Sequence, residues 1–297
     1  MRGIHRKSII KQALDRLEDK MAIHQSRGKA KEQARNAGVY VWAYSTGKIH
    51  SFKTRSTYQE HILKFVSWAR SQHSVKSLEY LDGRADELAT EWLQQQVDGK
   101  SPYTLQVERA ALRLFFGNRT LASTVSIPRR ARSNITRSRG TKAHDRHFQP
   151  ANWQPLLKFL EATGLRRQEV SDLRCGEVGQ DEHGQVYVYV RSGKGGRDRR
   201  VGVLPGREAD VLAVVAGRDP RESVFGPIPK HLDVHSYRRL FAQALYLHHA
   251  PDRSLPPVAG RLKPGDYDRI AAKHVTEALG HNRLGIVLQH YITVPSM

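Results

Sequence analysis

Cysteine is almost missing from this chain. Cys175 stands alone among 297 residues, which excludes an internal disulfide framework and fits a reducing interior. Its place just behind an apolar helical pattern makes it a small packed residue rather than a nucleophile. Long apolar runs are missing too. No segment approaches the roughly 20 residues that cross a bilayer, and Lys11, Asp15 and Glu18 interrupt any N-terminal stretch that could act as a signal peptide. A cytoplasmic protein is expected. The fifteen histidines follow no recognised ligand spacing, and no carboxylate cluster accompanies His248, His249, His274 or His281, so neither a metal nor another cofactor is expected. Negative charge is the scarcest commodity: 29 Asp+Glu face 49 Lys+Arg, for a formal charge of +20.

Such a field attracts polyanions and predicts binding that weakens steeply with salt. An ordinary apolar fraction of 39% leaves material for enzyme cores, which separates the chain from highly charged, core-poor ribosomal proteins. Nucleic acid is the better partner. The length suffices for two domains, each with its own core.

Residues 1–50 read as a basic, partly helical N-terminal extension. Ile10, Leu14, Leu17 and Met21 recur at spacings of four, three and four in a helix over 7–35. It serves either as a partner- or DNA-contacting arm or as a helix packed on its own domain. Val39-Tyr40-Val41-Trp42 suits a short strand. Residues 51–127 read as a helical domain. One helix starts at Ser56-Thr57 and carries Tyr58, Ile62, Phe65 and Trp68 on one face; Leu88, Trp92 and Leu93 mark a second. A third opens at Ser101-Pro102, turns Leu105, Ala111, Leu112, Phe115 and Phe116 largely inward, and ends near Gly117-Asn118.

Between 128 and 148 the composition changes. Arg129, Arg130, Arg132, Arg137, Arg139, Lys142 and Arg146 crowd a segment with few apolar residues, which cannot build a core and extends by self-repulsion. It reads as a strap along a DNA backbone rather than an idle tether. Residues 149–297 form the last domain. Trp153, Leu156, Leu157, Phe159 and Leu160 make a helix ended by Gly164, and a new helix follows with Val170 and Leu173 inward. Val186–Val190 and Arg200–Leu204 pair as a hairpin around a turn of Ser192–Gly196. The rest is mainly helical. The fold class is therefore mainly α with a small β-hairpin or sheet, α+β overall, in two domains.

Six side chains in the last half carry chemistry: Arg166, Lys194, His235, Arg238, His281 and Tyr291. Two guanidiniums can neutralise non-bridging phosphate oxygens, a phenol can attack, and an ammonium and two imidazoles can move protons. Arg166 stands just past a glycine-terminated helix, with Glu169 three residues on to support it; His235 and Arg238 face the same way on one helix. The Gly193-Lys194-Gly195-Gly196 loop lacks the Walker spacing, so nucleotide binding is a weak reading.

In this order, Thr163-Gly164-Leu165-Arg166 with Glu169, then Lys194 in its glycine loop, His235-Ser236-Tyr237-Arg238, Leu279-Gly280-His281 and finally Tyr291, the sequence resembles the tyrosine recombinases, the phage-type integrases of mobile elements. The resemblance spans about 50 to 295. It implies a helical core-binding domain followed by a catalytic domain, the two forming a DNA clamp. It further implies that Arg166 and Arg238 clamp the scissile phosphate, Tyr291 attacks it and Lys194 protonates the leaving 5′ oxygen. His235 and His281 would assist, with Glu169 behind. The interval from Arg238 to His281 is longer than usual for the family, with the surplus around Pro251 to Asp266. Arg239 stands where a histidine is frequent, and only Ile292 to Met297 follow Tyr291.

The function so implied is site-specific strand exchange on double-stranded DNA through a 3′-phosphotyrosine. A homotetramer on paired sites would carry it out, with an accessory bending or directionality protein as a further partner, for integration and excision of a mobile element. A type IB topoisomerase-like or end-resolving relative, and a non-catalytic DNA-binding protein of the same fold, are the alternatives.

Overall fold

The fold was analysed in a computed structural model that describes residues 7–40, 44–135, 147–193, 197–258 and 260–294. It divides into two units, Met1–Arg130 and Ala131–Met297. Lys194, Arg137, Arg139, Lys142 and Arg146 lie outside the described residues. So do Val41 and Trp42 of the expected strand, while Val39 and Tyr40 belong to no regular element.

The first unit is helical: α1 (Ile9–Asp19), α2 (Arg27–Asn36), α3 (Phe52–His73), α4 (Leu78–Gly83), α5 (Ala85–Gln94) and α6 (Pro102–Phe116). The expected single helix over 7–35 is two. The chain breaks at Met21, which bridges to Ile49, and restarts where the Ser26 hydroxyl accepts the Lys29 amide. Nor does α1 stand apart as an arm. Ile9, Ala13 and Leu17 enter the same core as Ile62, Phe65, Leu88, Leu112 and Phe115, so the packed alternative holds and the first 50 residues share a unit with those after them. α3 starts at a Ser51 cap rather than at Ser56-Thr57. α6 has the Ser101 cap, the Pro102 first turn and a left-handed Gly117 at its end. Inside the unit, the buried Glu108 carboxylate accepts Trp92 Nε1 at 2.9 Å and Lys100 Nζ at 3.0 Å, which meets the demand that a buried charge be paired.

The second unit is α+β. α7 (Gln154–Thr163) and α8 (Arg167–Asp172) precede a three-stranded antiparallel sheet of β1 (Val178–Gln180), β2 (Val186–Gly193) and β3 (Arg197–Gly202), in the order β1-β2-β3. Then come α9 (Glu208–Leu212), α10 (Val234–His249), α11 (Arg269–Ala278) and α12 (Leu284–His290). The hairpin is present, but β3 runs from Arg197 to Gly202 instead of Arg200 to Leu204, and β1 is an added strand paired through Val178↔Val188. Val186, Val188 and Val190 face the core; Tyr187 and Tyr189 alternate outward under Arg200 and Arg191.

α10 joins two cores, one with α7, α8 and the sheet and one with α11 and α12. The junction requires Gly164. It has φ +58°, and a Cβ there would lie 2.3 Å from the Phe241 ring of α10. Gly164→Ala should therefore cost about 2–4 kcal/mol through backbone strain and overpacking, read as a lower denaturation midpoint of this unit. Among the described residues no helix is long and apolar enough to cross a membrane.

Candidate active site

Arg166 caps α8 with an extended backbone, and its geometry is set by Glu169 one turn on. The carboxylate accepts the Arg166 amide at 2.9 Å through Oε2 and the Arg166 Nη1 at 2.6 Å through Oε1. From the opposite direction Arg199 of β3 donates both ends of its fork to the same two oxygens, at 2.9 and 2.8 Å. Burial would raise the pKa of Glu169; the hydrogen bonds from Arg199 and the Arg166 backbone, with both guanidinium charges, outweigh it and hold it at about 2. Glu169 is thus a permanent anion.

Sequence reading missed Arg199, hidden in the run Arg197-Asp198-Arg199-Arg200. Strand alternation exposes it: Arg199 pairs with buried Val190 and shares a face with buried Val201, so it points inward. It also fixes the turn that carries His281. Gly280, at φ +62°, leaves room for Arg199 Nε, which would lie 2.9 Å from a Cβ.

Arg238 is the largest fully buried side chain, 1% exposed. Its fork donates to Gly164 O and, at 2.6 Å, to Leu279 O. Arg166 Nη2 reaches the same Leu279 carbonyl at 3.0 Å. That carbonyl ends α11, where helix geometry leaves C=O groups without intrahelical partners and the dipole favours cations. Two guanidiniums are thereby brought to one point, held by a neutral acceptor that leaves Arg238 uncancelled. Desolvation, and then the nearby charge of Arg166, push Arg238 down to about 10, against the opposing pull of Tyr291 and Glu169.

The remaining groups gather around this pair. His281 follows the left-handed Gly280 in a Schellman turn, Gly280 N–H to Glu277 O at 2.8 Å and His281 N–H to Thr276 O at 2.9 Å. Tyr291 sits at the C-cap of α12 and is 9% exposed. Its ring centroid lies 5.4 Å from that of His281, and Arg238 Cζ stands 5.6 Å over it. His235, at the solvent-facing start of α10, lies three residues before Arg238. Partial desolvation, then the charges of Arg238, Arg166 and Arg167 against the opposing Asp233, lower its pKa below the ordinary imidazole value. The neutral imidazole, which can accept a proton, is thereby favoured. Of the seven expected site residues, the described structure thus gathers Arg166, Glu169, Arg238, His281 and Tyr291, with His235 on the helix of Arg238.

No protein-family model matches the chain, and no curated protein does. Among solved structures it is similar to the XerH site-specific recombinase bound to palindromic difH substrate in a post-cleavage complex, at 16% identity over 95% of this chain and 91% of that one, with a TM-score of 0.49. It is also similar to XerH bound to difH in a pre-cleavage complex, at 18% identity over 89% and 81%, TM-score 0.47. The XerA recombinase is a further one, at 14% identity over 95% and 94%, TM-score 0.29. The chemistry of this chain is therefore read from its own residues.

The linker arginines do not form one set. Arg129 and Arg130 are exposed at the end of the first unit, Arg130 lying 5.2 Å over the Tyr103 ring. Arg132, another of the expected DNA contacts, is tied within the second unit. It donates to Pro257 O at 2.8 Å, Leu288 O at 3.2 Å and Gly260 O at 3.3 Å. The physical reason is local: with Ile135 buried nearby, this stretch packs on its own unit and brings the guanidinium to the carbonyl of the buried Leu288 and to two exposed loop carbonyls. Among the described residues no group of three His, Cys, Asp or Glu side chains is placed to hold a metal ion.

Proposed function

We propose that this chain is a tyrosine recombinase that breaks and rejoins double-stranded DNA through Tyr291. The observation that carries this reading is the convergence of Arg166 and Arg238 on the Leu279 carbonyl, with the Tyr291 phenol beneath Arg238 and His281 beside it. A phosphodiester brought to the two forks would place its non-bridging oxygens where positive charge is preorganised and already desolvated. The phenol oxygen attacks phosphorus, the bond to the 5′ oxygen breaks, and a 3′-phosphotyrosine forms. The phenolic proton passes to a neutral imidazole, with His235 the candidate acceptor; the leaving 5′ oxygen takes a proton from Lys194, as the family resemblance assigns. One ester replaces another, so a 5′-hydroxyl from a second duplex reverses the step and joins new strands.

On this reading four copies act on two duplexes, assisted by an accessory bending or directionality protein, and the setting is integration and excision of a mobile element. Arg129 and Arg130, with Arg137, Arg139 and Lys142, would meet phosphates and position the duplex without reading its bases. Arg130→Ala should then weaken binding uniformly across sequences and reduce the slope of log affinity against log salt by about one.

The test is a nicked suicide duplex, from which the short leaving strand diffuses away after cleavage. A denaturation-resistant adduct mapping to Tyr291 supports the proposal, and binding without any adduct favours a non-catalytic protein of this fold. Relaxation of supercoiled plasmid with no requirement for paired sites would favour the type IB topoisomerase-like alternative.

A further inference from the structure

The residues just beyond Tyr291 are held by a device that neither the family resemblance nor the proposed chemistry assigns. Ile292 and Thr293 are fully buried in the second unit. Arg239, the neighbour of the Arg238 clamp on α10, donates through Nη2 to Thr293 O at 3.0 Å, Thr293 Oγ1 at 3.3 Å and Val294 O at 3.3 Å. One turn on, Gln243 Nε2 donates to the same Thr293 carbonyl at 2.9 Å. Arg239 and Gln243 are both 9% exposed. From the other side the Val294 amide donates to Pro256 O at 3.2 Å, in the loop that Arg132 also grips.

This arrangement is expensive. A guanidinium taken out of water carries a desolvation penalty, visible in the lowered pKa of Arg239, whose cause is burial. Hydrogen bonds to the Thr293 and Val294 oxygens are what make such burial tolerable. A leucine would fill a buried helix position without that penalty. What the guanidinium supplies is a planar fork that reaches two successive carbonyls and fixes the direction in which the chain leaves Tyr291. Arg238 and Arg239 are adjacent on one helix turn, so the phosphate clamp and the hold on the nucleophile's segment share one rigid element.

We propose that Arg239, supported by Gln243, is a positioning residue: a latch that docks residues 292–294 onto α10 of their own chain and so keeps the Tyr291 phenol beneath the Arg238 fork. The inference rests on the recombinase reading for its catalytic meaning, but the latch itself is a property of the free protein.

The experiment pairs two measurements on the full chain and on Arg239→Gln, Arg239→Lys and Gln243→Leu. Hydrogen exchange without DNA follows the Tyr291 and Ile292 amides, both of which donate to Val287 O. Single-turnover trapping on a nicked duplex gives the cleavage rate at saturating DNA, with the dissociation constant measured separately. The latch predicts faster exchange of these amides in Arg239→Gln. The rate constant for trapping should fall by about 10- to 100-fold, while the dissociation constant stays within about threefold. Arg239→Lys should recover part of the rate, and Gln243→Leu should lose several-fold. Unchanged exchange in Arg239→Gln, or a cleavage rate equal to that of the parent chain, overturns the latch; so does a loss of DNA affinity in proportion to rate. If Arg239→Gln does not fold, Gln243→Leu decides, and parental exchange and rate in it overturn the latch. A parent chain that traps no DNA defeats the recombinase reading alone, and the exchange result then still decides whether the latch exists.

Discussion

Tyr291→Phe should abolish covalent capture of DNA and leave DNA affinity largely unchanged. The ring makes the packing contacts: His281 lies 5.4 Å from its centroid and Arg238 Cζ 5.6 Å above it. Phenylalanine keeps both contacts, and removes the atom proposed to attack together with its hydrogen bond to Arg238. Loss of a nucleophile has no substitute in the site, so the trapping rate should fall by on the order of 10⁴-fold or more. Arg166→Ala is the necessary companion. It removes one of two charges at the phosphate position and should lower trapping by about 10²–10³-fold while adduct formation remains detectable. The same two outcomes on a nicked duplex separate nucleophile from electrostatic partner. If Tyr291→Phe still forms an adduct that survives denaturation, another side chain is the nucleophile and the assignment fails.

Local signals were legible where the chain's own short-range chemistry decides the outcome. Ser101, Pro102 and Gly117 bound α6 through a hydroxyl cap, a preset φ and a left-handed terminus. Gly164 and Gly280 end α7 and the α11 turn for the same reason. The start of α3 was not legible, because Ser51 and Ser56-Thr57 are both competent caps and the first residue, Phe52, is exposed and adds nothing to the apolar stripe. The break in the N-terminal rod depends on a bridge from Met21 to Ile49, a partner 28 positions away that no periodicity can announce. β1 has three residues, too few to show alternation.

The site divides in the same way. The order of Arg166, Arg238, His281 and Tyr291 is written in the sequence, but the point at which the two arginines meet is a main-chain oxygen, Leu279 O, and any residue at 279 would supply one. Arg132, Arg199 and Arg239 are the converse case. Each belongs to a basic run or lies beside Arg238, where composition suggests DNA contact, yet each bonds carbonyls or a carboxylate of its own unit. Arg167 on the Ile228 and Pro229 carbonyls extends the pattern, and Arg218 combines the Val214 and Val224 carbonyls with an ion pair to Glu222. A basic residue that leaves solvent takes whatever acceptors its own unit offers, and main-chain carbonyls are the commonest of them.

Glu169 is the carboxylate that joins Arg166 to Arg199, and Glu169→Gln should reveal its weight. The wild-type side chain lies between the forks of Arg166 and Arg199 and titrates at about 2, against an ordinary value of 4.5. The sign follows directly. Because the folded state binds the proton more weakly than the unfolded chain, the stabilisation is fully present above pH 4.5 and is lost as pH falls toward 2. A shift of that size corresponds to roughly 3 kcal/mol at neutral pH, in line with the 3–5 kcal/mol expected when one partner of a buried ion pair is removed (about 3 kcal/mol at its lower bound). Glutamine keeps the shape and one acceptor oxygen, but leaves two guanidiniums facing each other without an anion. Denaturant unfolding of the second unit should show a deficit of about 3 kcal/mol at pH 7 that shrinks steadily below pH 4.5. The freed Arg166 should also loosen from the phosphate position, so trapping falls even where the unit remains folded. A deficit that does not change with pH would mean that Glu169 acts through packing, and that the Arg166–Glu169–Arg199 charge arrangement does not hold the site together.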